Sequence, residues 1–165
     1  MPEIIFDCCC ISNFALADAL FVLEKLYSHS SQSAYITNFV VAEIMRGIQQ
    51  GHKELRKIQA SMQKGWLQET SLITQKEKSL YETLSVSLGL GEASSIAVAK
   101  TRGFIFASDD RAARREAGLL EIKLTGTLGI LKKAVSHKTI SLNEGNLILA
   151  KMVKAGFYAP IENLK

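Results

Sequence analysis

Short apolar runs alternate along this chain with longer amphipathic stretches, and the alternation sets the predicted elements. Residues 3–7, EIIFD, read as a short buried strand. In residues 11–27, Leu16, Leu20, Leu23 and Tyr27 recur at helical spacing. Phe14, Ala17 and Phe21 add a second stripe to the same predicted helix. So wide an apolar surface implies deep burial or a subunit interface. SAYIT (33–37) reads as a second strand. Asn38 is placed to cap a helix running to about residue 50, and Gly51 fits its end. Residues 52–63 read as helix and WLQETSL (66–72) as a short strand. Thr74 starts the next helix, with Glu77 at capping-box spacing. GEASSIAVAKTRG (91–103) is helical, FIFAS (104–108) is a buried strand, and DDRAARREAG (109–118) is a short helix closed by Gly118. EIKLT (121–125) is a strand, and residues 127–136 and 141–155 form two closing helices. In the second of these, Gly145, Ile148, Leu149, Met152 and Gly156 share a face.

Strands alternating with helices predict a parallel sheet covered on both sides, a three-layer α/β/α architecture. The only prolines are Pro2 and Pro160, so nothing breaks the elements between them. No repeat or linker divides the 165 residues, which are enough for one domain with a full core, taken as 1–165. Hydrophobic residues make up 47% of the chain and mean hydropathy is +0.11, as expected for a buried sheet or an apolar interface. The richest apolar run, FALADALFVL, is interrupted by Asp18, and no run is long enough to cross a bilayer. No basic N-terminal region leads into a cleavage site, so the expectation is a cytoplasmic protein with no membrane partner. The net charge of +4 is compatible with nucleic acid but does not select it.

Cys8, Cys9 and Cys10 are contiguous, which rules out the separated pairs of a disulfide framework and offers no CxxC spacing. They read as small, buried, reduced side chains at a strand end, with redox sensitivity as the functional alternative. The three histidines are scattered and suggest no ligand set.

The acids carry more information. Ligands of open parallel sheets bind beyond the carboxyl ends of the strands. Asp7 ends the first strand, and Asp109 and Asp110 follow FIFAS directly. Glu43 interrupts an apolar stripe made by Val40, Ile44 and Ile48, and Glu92 opens the helix GEASSIAVA. Each acid has an ordinary explanation. Glu43 could pair with Arg46 for about 0.3 kcal/mol. Glu92 could complement a helix dipole for roughly 0.3–1 kcal/mol, and Asp109 could be an N-cap. Clustered together, however, the acids would repel one another unless cations neutralise them. An all-oxygen site suits Mg²⁺ or Mn²⁺, which can activate water and stabilise charge on a phosphodiester.

Other frameworks fit less well. GLGEAS (89–94) imitates a dinucleotide fingerprint but follows a helix. A haloacid-dehalogenase-type phosphatase needs an Asp where Cys9 stands, and no GxxxxGK[ST] occurs. A receiver domain needs a Lys at a later strand end, which Lys123, inside EIKLT, meets only loosely.

The ordered set FD after a first strand, AEI..G on an early helix, GEASSIAVA, and ASDDRAAR resembles the PIN-domain ribonucleases. DDRAARREAGL followed by LTGTLGILKKA is similar to a prokaryotic subgroup related to VapC-type toxins. The resemblance spans residue 4 to about 157. It implies that Asp7, Glu43, Glu92 and Asp110 are the acidic catalytic and metal-binding positions, holding one or two Mg²⁺ or Mn²⁺ ions. Asp7 and Asp110 would bind metal directly, and Asp109 would assist. Ser108 matches a small hydroxyl residue near the last acid, expected to help bind substrate, and Asn13 a polar position of the opening helix. Many members carry Thr or Ser straight after the first Asp, where this chain has Cys8. The implied activity is RNA cleavage leaving 5′-phosphate and 3′-hydroxyl ends, with an antitoxin protein as partner.

Arg111, Arg114 and Arg115 lie at spacings that let them share a helix face beside the acids. They are expected to hold RNA phosphates or to pair with Asp109, Asp110 or Glu116. The stripes of the opening and closing helices predict a homodimer. The rival to the nuclease reading is a non-catalytic RNA- or protein-binding module on the same fold, to which the Cys8 departure gives some weight.

Overall fold

The computed structural model describes residues 2–165. Five strands, β1 (Ile4–Phe6), β2 (Ala34–Thr37), β3 (Leu67–Thr70), β4 (Ile105–Ala107) and β5 (Leu124–Thr125), form one sheet in the order β3-β2-β1-β4-β5. Every pairing is parallel. The chain builds outward from β1 through β2 to β3, then returns to place β4 on the other edge of β1. A crevice opens above the carboxyl ends at such a reversal. Phe6 lies opposite Ala107, so Asp7 and Ser108 leave the sheet side by side. The Asp7 N–H donates to the Ala107 carbonyl at 3.0 Å.

The helices are α1 (Cys8–Leu16), α2 (Leu20–Tyr27), α3 (Asn38–Gln49), α4 (Arg56–Lys64), α5 (Gln75–Leu84), α6 (Leu90–Arg102), α7 (Arg111–Leu119), α8 (Thr127–Ser136) and α9 (Leu142–Lys154). Successive strand residues face opposite ways and divide the interior. Ile4, Phe6, Ala34 and Ile36 join a core with α1–α4, α8 and α9. Ile5 and Phe106 join a second core with α5, α6 and α7. The result is the three-layer α/β/α arrangement that the alternating pattern predicts. No helix among the described residues is long and apolar enough to cross a membrane.

The structure corrects several boundaries. The single helix expected over 11–27 is two helices. Asp18, at φ 55°, takes the left-handed conformation that short polar side chains tolerate, and the chain turns there. This turn lets Leu20, Val22, Leu23 and Tyr27 reach the core already occupied by Ile11 and Phe14. The cysteines occupy the first turn of α1 rather than a strand end, because Asp7 caps that helix at once. Only Cys10 is buried; Cys8 is half-buried and Cys9 exposed. Thr37, not Asn38, caps α3, its hydroxyl accepting from Val40 N at 3.2 Å. The 52–63 stretch begins as a 3₁₀ turn (Lys53–Leu55) before α4. The strands expected at 66–72 and 121–125 shorten to four and two residues. Helix α7 is capped by Asp110 rather than Asp109 and runs through Gly118 to Leu119. On α9, Gly145, Ile148, Leu149 and Met152 are buried as predicted, whereas Gly156 lies beyond the helix end at φ 113°.

Candidate active site

The site is built at the switch point from the ends of β1 and β4 and the helices that follow β2 and precede β4. Asp7 is the deepest acid, 1% exposed. One carboxylate oxygen accepts from Cys10 N at 2.8 Å, and the other from the Ser108 hydroxyl. Burial pushes its carboxyl up to about 7. The two hydrogen bonds oppose that rise, and Asp109 and Asp110 add to it. Ser108 thus joins two acids, because its oxygen also accepts from Asp110 N at 3.1 Å. Asp110 caps α7 by accepting from Ala113 N at 2.8 Å.

Glu43 and Glu92 come from α3 and α6 and are half-buried. Glu43 accepts from Gly91 N at 3.0 Å. A Cβ at residue 91 would collide with that same carboxylate oxygen, so the glycine is what admits Glu43 to the first turn of α6. The expected Glu43–Arg46 pair is absent among the described residues. The Glu92 carboxyl is also pushed up to about 7, first by burial and then by the charges of Asp110, Asp7 and Glu43. The structure therefore brings Asp7, Glu43, Glu92 and Asp110 into one electrostatic neighbourhood. No Lys or Arg forms an ion pair with any of them among the described residues.

Asp109 faces elsewhere. Its carboxylate accepts from Thr127 N at 2.8 Å, from the Thr127 hydroxyl, and from Asn13 Nδ2 at 3.0 Å. It binds the end of β4 to the start of α8 and to α1. Gly126 makes this possible, since a Cβ there would lie 2.6 Å from Asp109 Oδ1. Thr127, which the sequence reading passes over, is thus central to the clasp; the only hint was its place in LTGTLG, directly after a strand.

The donor set fits a hard divalent ion: oxygen donors only, mutually repelling, with no cationic side chain in ion-pair contact. Among the described residues, no group of three or more His, Cys, Asp or Glu is arranged to hold a metal ion. Cys8 adds nothing to the set, because burial pushes its thiol up to about 12 despite a contact with the Ser12 hydroxyl.

A PIN-domain family profile matches residues 3–165. The chain belongs to the PIN-domain family. A solved structure with the same fold is a chain from "VapBC2 from Rickettsia felis bound to a DNA fragment from their promoter". It aligns with a TM-score of 0.57 at 12% identity, over 75% of this chain and 98% of that one. No curated protein matches the sequence.

In this PIN domain the three arginines part company. Arg114 turns inward, and its guanidinium donates to the carbonyls of Ser108 at 2.7 Å and Thr125 at 2.8 Å. Arg111 and Arg115 are exposed. Arg111 borders a cavity of about 470 Å³ with Asp109, Asp110, Cys9 and Asn13, whereas Arg115 borders none of the cavities near the acids. The expected shared face therefore splits into one inward clamp and two surface cations.

Proposed function

We propose that this PIN domain is an endoribonuclease dependent on Mg²⁺ or Mn²⁺. What supports the reading is that Asp7, Glu43, Glu92 and Asp110, from four separate segments, share one electrostatic neighbourhood with no side-chain cation paired to them among the described residues. Repulsion of that kind is tolerated where a bound ion offsets it. Asp7 and Asp110 would hold the ion, and Glu43 and Glu92 would complete its shell or orient the attacking water. When bound, the ion supplies an activated water and charge stabilisation at phosphorus.

The chain's own residues prepare that chemistry. Cys10 N and the Ser108 hydroxyl fix the Asp7 carboxylate, and Ser108 ties it to the start of α7. Gly91 N fixes Glu43. Glu92 faces Asp110, and burial together with the neighbouring acids pushes its carboxyl up to about 7. Arg111, exposed at the mouth, is placed to hold a backbone phosphate.

The toxin component of a toxin–antitoxin pair is the cellular role that fits, since the Rickettsia felis neighbour comes from a VapBC2 assembly. Self-association would use the apolar residues left exposed on the opening and closing helices, Phe21, Leu147 and Val153. The deciding experiment is cleavage of single-stranded RNA with Mg²⁺ or Mn²⁺, with EDTA, and with Asp110→Asn. Cleavage that needs the ion and vanishes in the variant supports the enzyme. RNA binding without cleavage under any divalent ion supports the binding module instead.

A further inference from the structure

The tail after α9 returns alongside the end of β4, where it borders cavities lined by Asp109 and Asp110. Its residues alternate in exposure as an extended segment does. Phe157, Ala159 and Ile161 pack against the larger core, while Tyr158 and Pro160 point outward. The tail is held at both ends. Phe157 N donates to the Met152 carbonyl at 2.9 Å, and Leu164 N donates to Asn146 Oδ1 at 2.7 Å. Leu164 is itself 2% exposed. Tyr158 is therefore a surface ring on an anchored backbone, and it is 87% exposed.

An exposed aromatic has an ordinary reading as incidental surface. Its position argues otherwise. Tyr158, with Phe157, Asp109 and Arg111, borders two cavities. One, of about 470 Å³, reaches Asp110. The other, of about 550 Å³, continues toward Thr125 and Gly126. Both are of the size that holds small ligands, about 300–1,000 Å³. The tyrosine and the arginine thus stand where a strand leaving the acids would pass. An aromatic face beside a free cation is the combination that single-stranded nucleic acid uses, stacking for the base and charge for the phosphate.

We propose that Tyr158 is a stacking platform for an unpaired nucleobase beside the acidic cluster, with Arg111 gripping the adjoining phosphate. The inference rests on the ribonuclease reading for its substrate, but its test does not depend on turnover. Binding of a fluorescently labelled single-stranded RNA oligonucleotide is measured by anisotropy without divalent ion, for the unaltered chain, Tyr158→Ala and Tyr158→Phe. Cleavage by the same proteins is measured with Mg²⁺ or Mn²⁺. Tyr158→Ala weakens binding by roughly tenfold, within the range found for base-stacking aromatics. Tyr158→Phe, which keeps the ring, stays within about twofold. A hairpin with its bases paired shows no such loss, because it offers no free base. Melting temperatures of both variants match the unaltered chain, since the ring is on the surface. Equal binding by Tyr158→Ala, an equal loss in Tyr158→Phe, or no binding of the oligonucleotide by the unaltered chain overturns the platform. Binding that depends on Tyr158 in a chain that never cleaves RNA leaves the platform standing and removes the nuclease.

Discussion

Two carboxylates in this molecule are equally buried and opposite in character. Glu77 and Asp7 are each 1% exposed. Burial alone would push both upward. For Glu77, however, Arg102 Nε at 2.6 Å and the N–H groups of Ile73 and Thr74 more than offset that, and its carboxyl is held at about 2. Asp7 has two hydrogen bonds, no cation and acidic neighbours, and stands at about 7. Glu77 is thus a completed structural unit. It caps α5, and its Arg102 partner also donates to Thr70 and Ser71, tying α6 to the end of β3. The Asp7 cluster is hydrogen-bonded, but no Lys or Arg forms an ion pair with it among the described residues.

The comparison breaks most sharply by opposite substitutions. Arg102→Leu strands a buried carboxylate and should cost about 3 kcal/mol of stability, seen as a lower midpoint in urea denaturation. Asp110→Asn should abolish cleavage while the metal-free melting temperature holds or rises, because it removes repulsion. A large loss of stability in Asp110→Asn would make the cluster structural, like Glu77.

The two regions also titrate in opposite directions. Glu77 has a folded value below its ordinary 4.5, so its contribution is fully present above about 4.5 and is lost as pH falls toward about 2. Asp7 and Glu92 have folded values above their ordinary 3.8 and 4.5. They favour the folded state at low pH, and that contribution is lost as pH rises through about 7. Metal-free melting temperature should therefore decline from about pH 4 to about pH 7 and level off above it. Added Mg²⁺ should raise it more at about pH 8 than at about pH 6, as metal displaces fewer protons there. Mg²⁺ stabilisation independent of pH would place the ion elsewhere.

A smaller effect tests how Glu43 is positioned. Gly91→Ala puts a methyl group against the Glu43 carboxylate, so cleavage should drop by about 10–100-fold, the usual consequence of disturbing a residue that orients a metal ligand. Folding should be retained, as circular dichroism would show. Unchanged kinetics would remove Glu43 from the site.

How far the sequence revealed these features follows from where the forces act. The layers were legible because apolar periodicity reflects burial directly: FIFAS and GEASSIAVA became β4 and α6 nearly as read. The break at Asp18 was not, since the stripes on either side fit one helix equally well and only the packing of α2 against the core decides between them. The acids stood out in different ways: Asp7, Asp109 and Asp110 at strand ends, Glu92 at a helix start, and Glu43 as an interruption of an apolar stripe, together with the family resemblance. The division of labour within DD was not. Asp109 and Asp110 differ only in direction, set by Thr127 and Asn13 on one side and the α7 amides on the other. Glu77 was visible as a capping-box residue, but its partner lies 25 positions away on another helix.

The arginines sharpen the comparison at its finest scale. Within five residues of α7, Arg114 behaves like Arg102 and Arg111 does not. Arg114 spends its guanidinium on two carbonyls that join β4, β5 and α7. Arg114→Ala should therefore lower the melting temperature, with a cost near the 1–3 kcal/mol typical of stranded buried acceptors, about 1 kcal/mol given partial exposure. Arg111→Ala should leave melting unchanged, weaken RNA binding, and flatten its salt dependence by about 0.7 in log–log slope, the share of one phosphate contact on a single strand. Arg115, exposed and away from the cavities at the acids, should do neither to a measurable degree. Salt titrations of binding beside thermal melts separate the three. If Arg115→Ala flattens the slope and Arg111→Ala does not, the strand runs along the outer face of α7, away from the acids, and the path from Asp110 past Arg111 is wrong.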